Sequence, residues 1–370
     1  MAGSRQSNGT LQCSKKTLRK STKDRDKKSA SWEEQQMSSR RVVFMFSGQG
    51  SQYYQMGRVF FDGNAAFRRR FLELDDVAKP RLGRSIVDVL YNDGRTKDEL
   101  FDNIQLTSAA IFMVEYALAG ALIDDGIKPD HLLASSLGIY AAAVVAAALD
   151  PKEALESLIE LAKNYEAKCR KGCMIAVLGS PRLHHDLKVL NNNSDMAAVN
   201  FASHFVISTT EEHFDEIQAA LLDENVAFQK LPVTWPFHSR WIDQGREAVL
   251  GVLEKLRYRQ PAIPLICCAE AGALEAVTPE SLWNSVRKPI EFERTITEFE
   301  TRGPWHYVDV GPAGTLATML KYALPSRSGS RAYPILTPFG GELRNYQRLG
   351  SEPGLRGNSF ADTEQRNLRA

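Results

Sequence analysis

Short apolar runs alternate along the chain with longer segments of helical periodicity, and that rhythm sets most of its expected organisation. Val42-Val43-Phe44-Met45-Phe46 is an uninterrupted β-branched and aromatic run, which predicts a strand buried on both faces. Ala109 to Asp124 has apolar positions at helical spacing and predicts a helix. His131 to Ser135 predicts a second short strand. Leu137 to Ala148 predicts a helix of small residues, and Pro151 to Cys169 a further helix. Strands that alternate with helices predict an α/β domain on a mostly parallel sheet.

The rhythm changes in the middle of the chain. Cys173 to Leu178 predicts a strand, Pro181 to Leu190 a helix, and Met196 to Asn200 and Phe205 to Ser208 two strands. Glu211 to Glu224 predicts a helix and Val226 to Leu231 a strand. That order, β-α-β-β-α-β, predicts a small ferredoxin-like subdomain over residues 172–232. It is inserted between two parts of the large α/β domain, 41–171 and 233–325. There Pro264 to Cys268, Ile290 to Glu300 and Trp305 to Val310 resume the earlier pattern. Residues 1–40 carry ten Lys/Arg against four Asp/Glu and almost no large apolar side chains. Such a segment cannot bury enough apolar surface to offset its ordering entropy, so it reads as a disordered basic tail. Residues 341–370, rich in Gly, Arg, Asn and Ser, read as a second disordered tail.

Composition narrows the function classes. The chain has 370 residues, 43% hydrophobic and 25% charged, with a net charge of +1. A balance so near neutral gives no reason to expect nucleic acid or an anionic membrane as partner. The longest apolar run, Ala141 to Leu149, is too short to span a bilayer, and no apolar stretch of signal-peptide type stands near the N-terminus. The seven His show no metal-ligand spacing. The five Cys match no zinc or redox motif, so a reduced, cytoplasmic protein without a metal or other cofactor is expected.

Three motifs carry chemistry. Ala134-Ser135-Ser136-Leu137-Gly138 lies between a predicted strand and a predicted helix. That is the setting of a nucleophile elbow, in which small residues let a serine stand on a tight strand-to-helix turn. It makes the large domain α/β-hydrolase-like. A serine in such a turn can equally be a helix N-cap, and Ser135 competes with Ser136 until the spacing to Gly138 selects Ser136. Trp235-Pro236-Phe237-His238-Ser239 supplies a histidine able to act as the base that a serine needs near neutral pH, though a buried structural histidine would read the same way. Spacing forces no acidic residue beside it. Phe46-Ser47-Gly48-Gln49-Gly50-Ser51-Gln52 is a glycine-rich turn directly after a strand. It lacks the Lys-Ser/Thr of a P-loop, and such a turn can instead aim backbone N–H groups at a developing oxyanion.

Taken together, these motifs resemble the malonyl-CoA:acyl-carrier-protein transacylase family, which includes the acyltransferase domains of polyketide synthases. The resemblance rests on F-S-G-Q-G-S-Q (46–52), S-x-G (136–138), N-x-x-S (200–203), P-F-H-S (236–239) and V-D-V-G-P-A-G-T-L (308–316). They stand in family order over roughly residues 41–325. The resemblance implies that Ser136 attacks a thioester and that His238 is its general base and then acid, steered by a backbone carbonyl. It also implies an oxyanion hole from the N–H groups of Gln49 and Leu137, a pocket that includes Asn200 and Phe237, and an acyl carrier protein as partner, with acyl-CoA as an alternative donor.

Departures from the family pattern bear on substrate. The family's His before the elbow serine is Ser135 here, and its Glu after the elbow glycine is Ile139. Malonyl-specific members carry an Arg about 25 residues after the serine; here that position is Leu161, followed by Ala162. A buried carboxylate needs a charge-assisted partner, for which a bidentate Arg is well suited. Without it, desolvating a malonyl carboxylate costs several kcal/mol, so the pocket is expected to prefer uncharged acyl groups unless Lys163 or Arg170 substitutes. The loss of Arg resembles the trans-acting branch that hydrolyses acyl groups from carrier proteins beside polyketide synthases. Hydrolysis of acyl-carrier-protein thioesters is therefore the expected reaction, with acyl transfer from CoA or between carrier proteins as the second reading and a non-catalytic docking module as the third.

Overall fold

The first apolar run forms β1 (Arg41–Phe46), and all of its residues but Arg41 are buried. The computed structural model describes residues 41–352 and residue 355, and these fall within one compact unit. The expected tail over 1–40, and the end of the chain beyond 355, lie outside the described residues.

β1 sits near the middle of a six-stranded sheet. Its partners are β2 (His131–Ala134), β7 (Leu265–Cys267), β8 (Gly272–Leu274), β10 (Trp305–Asp309) and β11 (Arg331–Pro334), in the order β11-β10-β1-β2-β7-β8. Every pairing is parallel except the β7–β8 hairpin at one edge. Because successive residues of a strand face opposite ways, Val42, Phe44 and Phe46 pack with the helices Ala65–Leu82 and Ile104–Asp124 on one face. Val43 and Met45 pack with Phe292, Ile296, Leu316 and Leu320 on the other. The helix Ile104–Asp124 has the length and apolarity to cross a membrane, yet most of its surface is buried inside the protein. Here it is the central helix of the core.

The second sheet runs β6-β3-β5-β4-β9. Its first four members are β3 (Gly172–Leu178), β4 (Asp195–Phe201), β5 (His204–Thr210) and β6 (Ala227–Lys230), all paired antiparallel. This is the ferredoxin-like arrangement, with fourth, first, third and second strands side by side around a small core of Ile175, Val177, Phe205, Ile207, Ile217 and Leu221. The fifth strand, β9 (Ile290–Glu291), comes from the large domain and adds in parallel to β4. Glu291 N–H also donates to Cys268 O at 2.9 Å, so one dipeptide stitches the two sheets together.

Three expectations need correction. Pro181 to Leu190 is two short helices, Arg182–Asp186 and Lys188–Asn193, because Leu187 between them is extended. The large domain does not end at 325, since β11 pairs beyond that point with β10. Nor is 341–351 a tail: Glu342–Ser351 is a helix. Its Leu349 is fully buried and its Tyr346 ring meets Phe60 edge-on at 5.1 Å. Sequence pattern underrates this helix because it has few apolar residues, and tertiary contacts hold it in place.

Candidate active site

Ser136 stands between the end of β2 and the helix Gly138–Val145, with φ of +55°. A non-glycine residue in the left-handed region is uncommon and is held there only by its surroundings. Those surroundings are explicit. Ser135 N–H donates to Phe46 O at 2.9 Å, and Gly138 N–H closes back on Ser135 O at 3.1 Å. A side chain on Gly138 would strike Phe46 O at 2.5 Å, so only glycine lets the helix start against the end of β1.

His238 also has a left-handed backbone, with φ of +61°. Its segment is pinned on several sides. Trp235 Nε1–H donates to Tyr165 O at 3.2 Å, Ser208 Oγ–H donates to Phe237 O, and His238 N–H donates to Val286 O at 2.8 Å. The ring then bridges two partners. Nε2 lies 2.9 Å from Ser136 Oγ, and Nδ1 lies 2.7 Å from Lys288 O. A carbonyl only accepts, so Nδ1 carries the proton and Nε2 presents its lone pair to the Ser136 hydroxyl. His238 is 2% exposed, and burial pushes its pKa from 6.5 down to about 4, with the Arg287 charge adding to the effect and the Lys288 hydrogen bond opposing it. The imidazole is therefore neutral at neutral pH, the state a base requires.

The glycine-rich turn closes the site. A Cβ on Gly48 would lie 2.7 Å from Ser136 Cβ and 3.3 Å from Leu137 N, so the turn rests directly on the elbow. Gln49 follows it, and its side-chain amide is clamped by Thr107 and Ser108 of the helix Ile104–Asp124, at 3.1 and 2.9 Å. Leu137 is the N-cap of the helix that follows Ser136, where N–H groups have no intrahelical acceptor. The turn and the helix start are thus brought together beside Ser136 Oγ.

Two spaces meet at Ser136. The smaller is a pocket of about 30 Å³ whose lining includes Leu137, Tyr140, Leu158, Leu161, Ala162 and Phe237 and, among the described residues, contains no charged side chain. The larger is a cleft of about 260 Å³ between the two sheets, with Ser135, Asn200, His204 and His238 in its walls. Every residue expected at the site lines one space or the other. Lys163 instead pairs with Glu160 at 2.8 Å, and Arg170 is exposed and lines neither space. Neither replaces the missing Arg.

Several contributors were not foreseen. The backbone carbonyl expected to steer His238 belongs to Lys288, a residue that no sequence signature marks. His204, whose Nδ1 lies 3.0 Å from Asn200 Nδ2, stacks on Phe201 at the cleft. Glu115 is wholly buried under the glycine-rich turn; its one sequence signal is that it is the only acidic residue before Asp124 in an otherwise apolar helix.

Comparison with known proteins gives the family and the fold. The family model described as "Acyl transferase domain" matches residues 43–348. The polyketide biosynthesis acyltransferase homolog BaeD of Bacillus velezensis is 42% identical over 319 residues, which is 85% of this chain and 98% of the relative. The homolog PksD of Bacillus subtilis is 40% identical over 304 residues, 82% of this chain and 94% of the relative. Among solved structures, the acyltransferase domain from the second module of the salinomycin polyketide synthase superposes with a TM-score of 0.74 at 26% identity. That match covers 87% of this chain and 75% of the other.

Proposed function

Because this chain belongs to the acyl transferase domain family, we propose that it processes acyl thioesters in polyketide biosynthesis through an acyl-Ser136 intermediate, and that water is the usual acceptor. The observation that carries the reading is the uncharged pocket beside a paired Ser136 and His238, in which Leu161 and Ala162 stand where a carboxylate clamp would be needed.

In the first step His238 Nε2 takes the Ser136 proton as Oγ attacks the thioester carbonyl carbon. The N–H groups of Gln49 and Leu137 hold the oxyanion, and the positive end of the helix Gly138–Val145 adds to them. On collapse the C–S bond breaks and the departing sulfur takes the proton from Nε2. In the second step water attacks the acyl-serine, giving its proton to Nε2. Collapse releases a carboxylic acid and returns that proton to Ser136 Oγ. If a carrier-protein thiol attacks instead of water, the same intermediate gives transfer.

Pocket size bears on the acyl group. About 30 Å³ of space holds about two or three water molecules, the bulk of a two- or three-carbon acyl chain. Acetyl and propionyl fit, whereas a malonyl carboxylate would be buried without a cation at a cost of several kcal/mol. The thioester arm of an acyl carrier protein would reach Ser136 along the larger cleft. A purely docking protein has no use for the Ser136–His238 pair. A cytoplasmic location is consistent with the four described cysteines, all of which are unpaired.

The test is to incubate acetyl-, propionyl- and malonyl-loaded carrier proteins with the protein and with Ser136→Ala. Loss of acetyl or propionyl only with intact Ser136 is expected. Loading of malonyl onto Ser136 and its passage to a second carrier would overturn the hydrolase reading.

A further inference from the structure

Glu115 is fully buried in the helix Ile104–Asp124, and among the described residues no cation lies against it. Its Oε1 sits 2.7 Å from Ser47 N and 3.0 Å from Ser47 Oγ, while Oε2 has no partner among the described residues. The contacts continue from there. Ser47 Oγ lies 3.1 Å from Ser51 Oγ, and Ser51 Oγ lies 2.8 Å from Gly48 O. A buried acid thus connects, through two hydroxyls, to the carbonyl of the glycine that rests on Ser136.

The two charge states of Glu115 fill these contacts differently. If Glu115 were ionised, Ser47 Oγ–H would donate to Oε1 and Ser51 Oγ–H to Gly48 O. The Ser47–Ser51 contact at 3.1 Å would then hold no proton, and an anion would be buried without a counter-charge among the described residues. If Oε1 carries a proton, Glu115 donates to Ser47 Oγ, Ser47 to Ser51 Oγ, and Ser51 to Gly48 O. Each of the three contacts then holds one proton, and such chains reinforce one another in a low-dielectric interior. Burial, helped by the like charge of Asp309, pushes the Glu115 carboxyl well above the usual carboxylate range, while its bonds from Ser47 oppose this.

We infer that Glu115 is a neutral carboxylic acid heading this hydroxyl chain, and that it is the positioning residue which sets the Gly48–Gln49 turn for the oxyanion. The second half of this statement rests on the proposed acyl-Ser136 chemistry; the first half does not. With Glu115 removed, the turn loses its anchor on the central helix. Gln49 N–H then drifts from the oxyanion while Leu161, Ala162 and Phe237 in the acyl pocket stay in place. The loss should therefore fall on the acylation rate and spare substrate binding.

The experiment has two arms. In the first, infrared difference spectra of the wild type and Glu115→Gln at neutral pH should show a protonated-carboxyl carbonyl band that the variant lacks; its absence would overturn the neutral acid. In the second, acylation of Ser136 by an acetyl-pantetheine thioester is followed. Glu115→Leu should be slower by about tenfold or more, part of the loss seen when an oxyanion donor is deleted outright, with KM unchanged. Glu115→Gln, which is neutral and still accepts from Ser47 N–H, should recover most of the rate. If Glu115→Leu does not fold, Ser51→Ala breaks the last link and should slow acylation several-fold at constant KM. Wild-type rates in the folded variant used, or a loss confined to KM, would overturn the positioning role. Absence of any wild-type adduct would refute the Ser136 chemistry and the positioning role with it, while the infrared band still decides the charge state.

Discussion

Both candidate reactive side chains stand on left-handed backbone, at Ser136 and His238. Such conformations are costly and persist where the surrounding structure enforces them. The ring of His238, fixed by Lys288 O and facing Ser136 Oγ, needs no acidic partner to select its tautomer. Its pKa of about 4 gives a prediction with a definite sign. The neutral form is the base, so the acylation rate should be flat through neutral pH and fall only as pH drops through about 4; a pH–rate profile with its limb near 6.5 would contradict this. The same shift links to stability. A histidine held neutral by burial contributes in full above its unfolded pKa of about 6.5, and that contribution is lost as pH falls from there toward 4. At the pocket, Leu161→Arg should raise malonyl loading relative to acetyl by at least about tenfold, since a charge-assisted bond to a carboxylate contributes about 1.5–3 kcal/mol. An unchanged ratio in a competition assay would show that position 161 does not set acyl choice. Ser136, His238 and Gln49 lie inside motifs visible in the sequence, and Leu161 is reached only by counting 25 residues on from Ser136. The Lys288 carbonyl cannot be read there, because any residue at that position would supply one.

At the scale of elements, the site is a meeting of three turns: the elbow after β2, the glycine-rich turn after β1, and the loop of His238. The first two depend on close backbone approach. Gly48→Ala would place a methyl group 2.7 Å from Ser136 Cβ, so the variant should keep its fold and lose most acylation, measured side by side by circular dichroism and adduct formation. Near-normal acylation would mean that the turn moves freely. Strands β1 to β6 and the helices Ile104–Asp124 and Pro151–Lys168 are legible because their apolar periods are regular, whereas the helix Ala65–Leu82 and the edge strands β8 and β11 have no counterpart among the sequence expectations. The helix Glu342–Ser351 is not legible either, since its one buried apolar residue is Leu349 and contacts far off in sequence, such as that of Tyr346 with Phe60, support it. Leu349→Ala should lower stability by about 2–5 kcal/mol, seen as a reduced Tm; a shift near zero would return this segment to the status of a tail.

For the molecule as a whole, a parallel sheet carries Ser136 at the end of β2, and a smaller antiparallel sheet walls the cleft from the other side. The alternation of strands and helices foretold both layers, including the order of the inserted subdomain. It did not foretell β9, because a two-residue strand has no pattern of its own and exists only where β4 offers an edge. The dipeptide keeps the two sheets in register, so the distance across the cleft does not depend on a flexible linker. The central claim is that this cleft delivers a short, uncharged acyl thioester to Ser136 and that water removes the acyl group. Intact-mass measurement of acetyl-loaded carrier protein, incubated with the wild type and with Ser136→Ala, tests it most directly. The expected result is loss of the acetyl mass from the carrier with the wild type alone, with free acetate as product. A carrier that keeps its acetyl group in both samples, or loses it equally in both, would contradict the claim.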